Sequence, residues 1–493
     1  MRVFGINALN HDAAISVVED NEIVFAAHSE RYSRNKFDEE LNDEIVEDAL
    51  SFGNPDKIVY YERPYLKKSR QLYAGQYRSA FTLKDLPSRY LKQWFSDNID
   101  IEYVDHHKSH AAAGYYTSPY DEAVIVVIDA IGEWDVASIW YGYGDKLEKR
   151  WSRKYPNSLG LFYSAITQRV GLKPQEDEYI LMGMDGWGER DYEIMSSMRD
   201  EFFDKDGYSK LNLHKGCMWW NPKYYPDDDS DKWKFDIAAN TQWILEREVC
   251  NIFETAKRVV PETNNCVYMG GVALNCVANT KLAQKYYPNL WIMPNPGDAG
   301  SSLGAILATT KKHIDFKHPF LGYEIKGEYP VTQVSKELLK GNIVGLASGK
   351  AEFGPRALGN RCLLADPRGS DIKDKVNKIK KRQEFRPFAP SVLEEHAHEI
   401  FDMPVKKSQF MQFVAPCKYP EKYPAICHID RTSRVQTVSH EDNPLYYKLI
   451  KEFYKKTGCP MVLNTSLNIK GEPIVNDIND ALNFEKKYMV KVY

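Results

Sequence analysis

His106 and His110 lie four residues apart in the stretch Val104-Asp-His-His-Lys-Ser-His110. On a helix that spacing stacks two imidazoles on one face, one turn apart. Two rings so placed can grip one borderline metal ion, as helical H-x-x-x-H sites do. Residues 123–128 are continuously apolar, read as a buried strand and end at Asp129, which offers a carboxylate as third ligand. Asp298 stands beside glycines where a further helix begins. It is placed either to cap that helix or to be a fourth ligand. The plainer alternative has His106 capping its helix, His110 satisfied in the core and Asp129 opening a turn.

A second group of residues is cationic. Gly354-Pro-Arg-Ala-Leu-Gly-Asn-Arg361 is followed by Arg368 and by Lys380-Lys-Arg-Gln-Glu-Phe-Arg386. These charges are spaced by glycine, proline and apolar residues rather than as a solvated repeat. Arginine forks match phosphate and carboxylate bidentately, so an anion site is expected over an ordinary charged surface. Gly270-Gly271, after a strand at 266–269, opens a helix whose first amides suit an anion or a ribose. A tight turn where side chains do not fit explains the pair equally well. Residues 345–350 only faintly resemble a P-loop, because three residues separate the glycines and no Ser or Thr follows the lysine.

The elements that must hold these residues alternate between strands and helices, the α/β signature. Strands are expected at 3–6, 14–18 and 23–27, with a polar loop at 7–12. The pattern recurs as 124–128, a loop at 129–135, then 136–141 and 147–151. Two copies of strand, acidic loop and hairpin suggest a duplicated fold of the actin, heat-shock and sugar-kinase type, whose loops face a nucleotide; two hairpins alike by chance is the alternative. Helices are expected at 38–52, 83–95, 159–170 and 235–259. Residues near 200–235 are irregular and aromatic (Trp219, Trp220, Tyr224, Tyr225, Trp233) and read as an insertion. Its aromatics either pack it down or line an acceptor pocket. A boundary falls within 313–341, and a second α/β unit begins at 343.

At 493 residues the chain is too long for one core. Its 43% hydrophobic and 27% charged content is that of a globular protein, and its net charge of -4 points to no nucleic-acid or membrane surface. No apolar run reaches the roughly 18 residues of a membrane span, and the start lacks the apolar core of a signal peptide. Eight cysteines without a C-x-x-C pair argue against disulfides and structural zinc and for a reducing cytoplasm.

Eight stretches in order resemble the O-carbamoyltransferases that decorate antibiotics and nodulation factors. They are Asn10-His-Asp-Ala-Ala14, Asp105-His-His-Lys-Ser-His-Ala-Ala112, Gly270-Gly-Val-Ala-Leu-Asn275, Asn295-Pro-Gly-Asp-Ala-Gly-Ser301, Phe353-Gly-Pro-Arg-Ala-Leu-Gly359, Phe385-Arg-Pro-Phe-Ala-Pro390, Arg434-Val-Gln-Thr-Val438 and Asn464-Thr-Ser-Leu-Asn468. The resemblance implies a domain at 1–325, actin-like and similar to the tRNA-threonylcarbamoylation ATPase. It implies a smaller α/β domain at 335–493, similar to the threonylcarbamoyl-adenylate-forming partner.

The activity implied joins ATP, with magnesium, and carbamoyl phosphate into carbamoyl-adenylate. The carbamoyl group then passes to an acceptor hydroxyl on a sugar, an antibiotic, or a hydroxymethylated pyrimidine as nucleotide or in DNA. An actin-like kinase is the remoter alternative. By resemblance His106, His110, Asp129 and Asp298 are the ligands of a divalent metal, iron(II) first, with manganese and zinc compatible with the set. Gly270, Gly271, Asn275, Arg356, Arg434 and Asn464 would bind the nucleotide or adenylate. Lys380 and Arg386 would act in adenylation, and His11 as base for the acceptor hydroxyl, with a structural hydrogen bond as its plainer role. No membrane partner is expected, and the oligomeric state, a homodimer included, is left open. One departure is Tyr179-Ile-Leu-Met-Gly-Met-Asp-Gly-Trp-Gly188, where the glycines of the family pattern stand without its lysine and tyrosine.

Overall fold

A computed structural model describes residues 1–205, 207, 209–220 and 231–493. The chain packs as two compact units, one of residues 1–9 and 55–315, the other of residues 10–54 and 316–493. The 10–54 segment is tied into its unit by named bonds. Buried Arg31 donates to the carbonyl of Gly354, 323 residues on, at 2.9 Å. Arg34 donates to the carbonyls of Pro473 and Ile474 at 2.9 and 2.7 Å and pairs with Asp480 at 3.2 Å.

Ten strands follow the pattern read from the sequence. They are β1 (Arg2–Asn7), β2 (Ala14–Glu19), β3 (Glu22–His28), β4 (Lys57–Tyr60), β5 (Ile101–Tyr103), β6 (Glu122–Ile128), β7 (Asp135–Tyr143), β8 (Lys146–Lys154), β9 (Asn265–Met269) and β10 (Asn289–Trp291). β2 and β3 form an antiparallel hairpin, and β1, β4 and β5 run parallel side by side. β7 and β8 form the second hairpin beside β6, and β6, β9 and β10 run parallel. Strand, hairpin and two parallel strands are therefore traversed twice. β6 is buried along nearly its whole length, as a strand covered on both faces must be, which is why its sequence does not alternate.

In the first unit the His106–Tyr116 and Ser301–Thr310 helices pack against each other at backbone distance. A Cβ at Gly304 would stand 1.9 Å from the Ser109 carbonyl oxygen, and one at Gly5 of β1 would stand 1.9 Å from that of Ser302. Two missing side chains thus let strand and helices close on one another.

The helix expected at 83–95 is broken. Pro87 has no N–H and starts its own short helix, Pro87–Tyr90, followed by a 3₁₀ turn at Leu91–Gln93. The helix expected from 38 begins at Asp43, where the Asn42 side chain accepts the Ile45 N–H at 3.1 Å. The long helix runs Lys232–Val259, close to its expected span.

The second unit holds a sheet in the order Val344–Ala347, Arg361–Ala365, Met461–Ser466, Ala389–Leu393, Gln436–Val438. Only the last pair is parallel. Its core gathers Leu363, Leu364, Val392, Leu449, Phe453 and Leu463. Arg361 is fully buried, with its guanidinium on the carbonyls of Tyr323, Ser348, Gly349, Asn360 and Asn476. Among the described residues no helix is long and apolar enough to cross a membrane, and all eight cysteines are free thiols.

Gly304→Ala forces the Ser301–Thr310 helix away from Ser109. Overpacking of this kind costs about 1–3 kcal/mol, so a lowered denaturant midpoint with an unchanged slope is the expected outcome.

Candidate metal centre and anion site

The His106–Tyr116 helix begins in a way its own sequence does not explain. Asp105, at its N-cap, makes no cap bond and is ion-paired with Arg63 at 2.8 Å. The first N–H, that of His106, is accepted by both oxygens of Glu133 at 2.9 and 3.1 Å, and Glu133 also accepts the Arg63 N–H at 2.8 Å. His106 therefore does not cap the helix with its ring. A buried carboxylate from the loop between β6 and β7 does so.

Both imidazoles are fully buried, with their Nε2 atoms 3.1 Å apart. Asp129 Oδ2 is 3.1 Å from His106 Nε2 and 3.6 Å from His110 Nε2; Asp298 Oδ1 is 3.4 and 3.3 Å from the same two atoms. One donor atom from each of the four residues lies within 4.8 Å of the others. An ion about 2.1 Å from each donor gives edges of about 3.0 Å between octahedral neighbours and about 3.4 Å between tetrahedral ones. The observed 3.1–3.6 Å fits a single-ion cage. Two nitrogens and two carboxylate oxygens suit iron(II), manganese or zinc.

The electrostatics show what the cluster requires. Burial disfavours charge on His106, yet Asp298, Asp129 and Glu62 push its pKa well above the ordinary value. Asp129 and Asp298 likewise raise that of His110 against its burial. Burial and Asp129 push the Asp298 carboxyl up, but His106 and His110 outweigh them and hold it at about 2. Burial raises Asp129, and the two histidines pull it well below the carboxylate range. Two buried carboxylates here demand positive charge between them, as imidazolium or as a cation.

Further polar groups face the outer nitrogens of the rings. The Ser301 hydroxyl lies 3.2 Å from His110 Nδ1. Glu62 Oε2 is 3.9 Å from His106 Nδ1, and Lys67 holds Glu62 at 2.7 Å. Asp129 Oδ1 accepts the Gly271 N–H at 3.1 Å. Gly270 has φ of +90°, and a Cβ there would meet the Ile128 carbonyl at 2.2 Å. The glycine pair is thus needed for the close approach to the end of β6. Asn275 caps the Cys276–Lys285 helix through the Ala278 N–H and exchanges two bonds with Gln242. Glu62 and Glu133 are absent from the sequence reading. Glu62 lies just past the end of β4, whose counterpart in the repeat is β9 rather than β6, so no local pattern marked it.

The second unit holds the cationic group. Lys380 ends the Ile372–Lys380 helix, is buried, and donates to the Ser466 carbonyl at 2.5 Å and Asn468 Oδ1 at 2.6 Å. Burial, then the charges of Arg382, Arg386 and Lys36, push its ammonium well below the lysine range. Such a group is poised to accept a negative partner. Lys36 is also new, and nothing local in the sequence links it to Lys380. Asn464, two residues before Ser466, donates to the Ala357 carbonyl, Ser391 Oγ and Gln436 Oε1. It thereby ties the Arg356 loop to the Gln436–Val438 strand. Arg356, Arg386 and Arg434 are half-buried. Glu352 organises the same loop by accepting the N–H groups of Leu358, Asn360 and Arg361.

His11 packs in this second unit. Its ring stacks on Phe37 at 5.1 Å, and Nδ1 lies 3.2 Å from Asp12. Of the aromatics expected in the insertion, Trp220 is buried, Trp219 is exposed and Trp233 lies under Arg169 at 5.1 Å. Tyr224 and Tyr225 lie outside the described residues.

Comparison with known proteins covers the chain end to end. Residues 2–307 match the family described as carbamoyltransferase N-terminus, and residues 335–493 match carbamoyltransferase C-terminus. An uncharacterised protein of Synechocystis is 33% identical over 99% of this chain and 95% of its own length. Nodulation protein NolNO of Sinorhizobium fredii is 30% identical over 97% and 77%. The 3'-hydroxymethylcephem-O-carbamoyltransferase of Amycolatopsis lactamdurans is 26% identical over 96% and 94%. Among solved structures, (R)-2-hydroxyglutaryl-CoA dehydratase component A of Acidaminococcus fermentans is distant, at 12% identity and a TM-score of 0.37, covering 63% of this chain and 99% of that one.

Protein purified without chelator is expected to carry one divalent ion per chain by elemental analysis, and the His106→Ala/His110→Ala double variant none. Both rings hold protons more tightly than usual in the ion-free cluster, so ion uptake displaces protons. Affinity should therefore rise with pH, up to the raised histidine pKa values, in a competition titration.

Proposed function

The chain belongs to the carbamoyltransferase family, and from that premise we propose that it is an ATP-dependent O-carbamoyltransferase working through carbamoyl-adenylate. The observation that supports this best is that each unit holds one polar centre of complementary chemistry: a buried lysine under cationic pressure in the second, and a His₂Asp₂ cage in the first.

In the second unit, water hydrolyses carbamoyl phosphate, so that phosphate leaves and carbamate remains. A carbamate oxygen attacks the α-phosphorus of ATP, the bond to the β-phosphate breaks, and pyrophosphate leaves. Lys380, Arg386, Arg356 and Arg434 neutralise the charge that gathers on the phosphoryl oxygens. Lys380 suits this role because an arriving anion restores the charge that its surroundings suppress. Asn464 holds the Arg356 loop in register.

In the first unit, His106, His110, Asp129 and Asp298 would hold a divalent ion, iron(II), manganese or zinc. Such an ion supplies Lewis acidity toward the AMP phosphate and so improves the leaving group. The Gly270–Gly271 turn holds Asp129 in place and borders the nucleotide. The acceptor hydroxyl attacks the carbamoyl carbon, the bond to AMP breaks, and the hydroxyl proton passes to a base. His11, which packs in the second unit, is the base assigned in this reading, with its ring oriented by Asp12 and Phe37. A kinase of similar fold would consume ATP without carbamoyl phosphate, so dependence on carbamoyl phosphate separates the two. Magnesium accompanies ATP, and the acceptor is a hydroxyl compound.

Lys380→Ala should lower carbamoyl-phosphate-dependent pyrophosphate release at least about 10²-fold, in line with loss of a transition-state charge partner. Unchanged release would place the anion site elsewhere. His11→Ala should cut carbamoylated product by about 10²–10⁴-fold, the usual worth of a positioned base, while pyrophosphate release continues. Both activities are measured on the same preparation, because their joint loss would make His11 an adenylate-site residue.

A further inference from the structure

Large exposed apolar side chains are concentrated in one short stretch of the first unit. Tyr65, Leu66, Leu72, Tyr73, Tyr77, Phe81 and Leu83 are all exposed, and the four aromatics among them are at least 63% accessible. All but Leu83 belong to two short helices, Pro64–Tyr73 and Tyr77–Phe81. The exposure does not come from loose packing, because the inner side of this hairpin is pinned by polar bonds. Lys68 donates to the carbonyls of Ser79 and Thr82 at 3.1 and 2.5 Å. Buried Arg70 donates to Gln76, and Ser69 Oγ accepts the Trp134 indole N–H at 3.0 Å.

The charge of the stretch is as one-sided as its exposure. From Arg63 to Lys92 there are eight cations and one carboxylate, the exposed Asp85, in a chain whose net charge is -4. Lys67, Lys68 and Arg70 point inward to partners. Arg78 and Lys84 are exposed among the aromatics, and Arg89 and Lys92 follow. Exposed rings interleaved with exposed cations form a surface on which bases stack while phosphates are neutralised. A second copy of the same surface would set positive against positive, which disfavours self-docking.

The hairpin also adjoins the metal centre. It starts directly after Glu62, which faces His106, and Arg63 is held by Glu133 and Asp105. Tyr73 packs on Trp134 at 5.5 Å, the residue after the Glu133 that takes the His106 N–H. One aromatic contact and the Glu133 loop thus separate the exposed surface from the helix that carries His106.

We propose that the Arg63–Lys92 hairpin is a docking surface for single-stranded nucleic acid, with bases on Tyr65, Tyr73, Tyr77 and Phe81 and phosphates on Arg78, Lys84 and Arg89. The acceptor class that follows, a hydroxyl-bearing nucleotide within a strand, rests on the transfer reading above; the docking itself does not.

The test is fluorescence anisotropy with a labelled oligo(dT) 20-mer, without ATP or carbamoyl phosphate, so its result stands whatever becomes of the transfer reading. Binding at low salt should weaken as salt rises, and a duplex of equal length should bind less tightly. Tyr77→Ala/Phe81→Ala and Arg78→Glu/Lys84→Glu should each weaken binding about tenfold or more. The charge variant should also flatten the salt dependence by about 0.7 per lost phosphate contact. Since these side chains are exposed, thermal midpoint and metal content should match the parent, which shows that the variants are folded. Absence of oligonucleotide binding, binding that both variants leave unchanged, or equal affinity for duplex overturns the proposal. So does loss in the variants of binding to anionic phosphatidylserine vesicles when the oligonucleotide is not bound, which would make the hairpin a membrane-docking element.

Discussion

A carboxylate taken out of water must find positive charge or give up its own. Asp129 and Asp298 are both taken out of water, and the arrangement around them follows from that demand. His106 and His110 must lie on one helix face to meet them together. Glu133 must start that helix at His106, and Glu62, with Lys67 behind it, and Ser301 must face the outer nitrogens of the rings. The two helices that carry these groups approach to backbone contact only because Gly304 lacks a side chain. Close packing and charge compensation are the same constraint here, because a cage of donors 3.1–3.6 Å apart tolerates no slack.

The second unit solves the opposite problem. Lys380 is buried among Arg382, Arg386 and Lys36, so it is cationic charge that lacks compensation from its neighbours. Carbonyl and amide oxygens of Ser466 and Asn468 hold the ammonium in place without neutralising it. Cations gathered this way around a buried lysine suit an anionic partner. The segment 10–54 belongs to this solution, since it brings Lys36 and packs the buried Arg31 against the Gly354 carbonyl.

Several features were legible because they are local. The H-x-x-x-H spacing, the strand-end aspartate and the glycine pair each show in a few residues; the histidines share one helix, Asp129 follows β6, and the glycines make a close turn. The repeat of strand, hairpin and parallel strands shows because hydrophobic period and turn residues are local too. Where a local rule competes with another, the reading slips. Pro87 breaks the helix expected at 83–95, since its missing N–H outweighs the apolar spacing. The family resemblance added expected roles for Lys380, Arg356 and Asn464 that spacing could not supply.

The sequence by itself determined the chemistry on offer, which is two imidazoles and two carboxylates in one half and spaced cations in the other. Residue type and short spacing are enough for that. Only the tertiary structure decided which groups meet. It set Glu133 rather than Asp105 on the first N–H of the histidine helix, brought Lys36 to bear on Lys380, and placed His11 in the same unit as Lys380. Each of these joins residues from about 27 to more than 300 positions apart, and such pairings are fixed by burial and charge compensation summed over a whole unit, which no local pattern records.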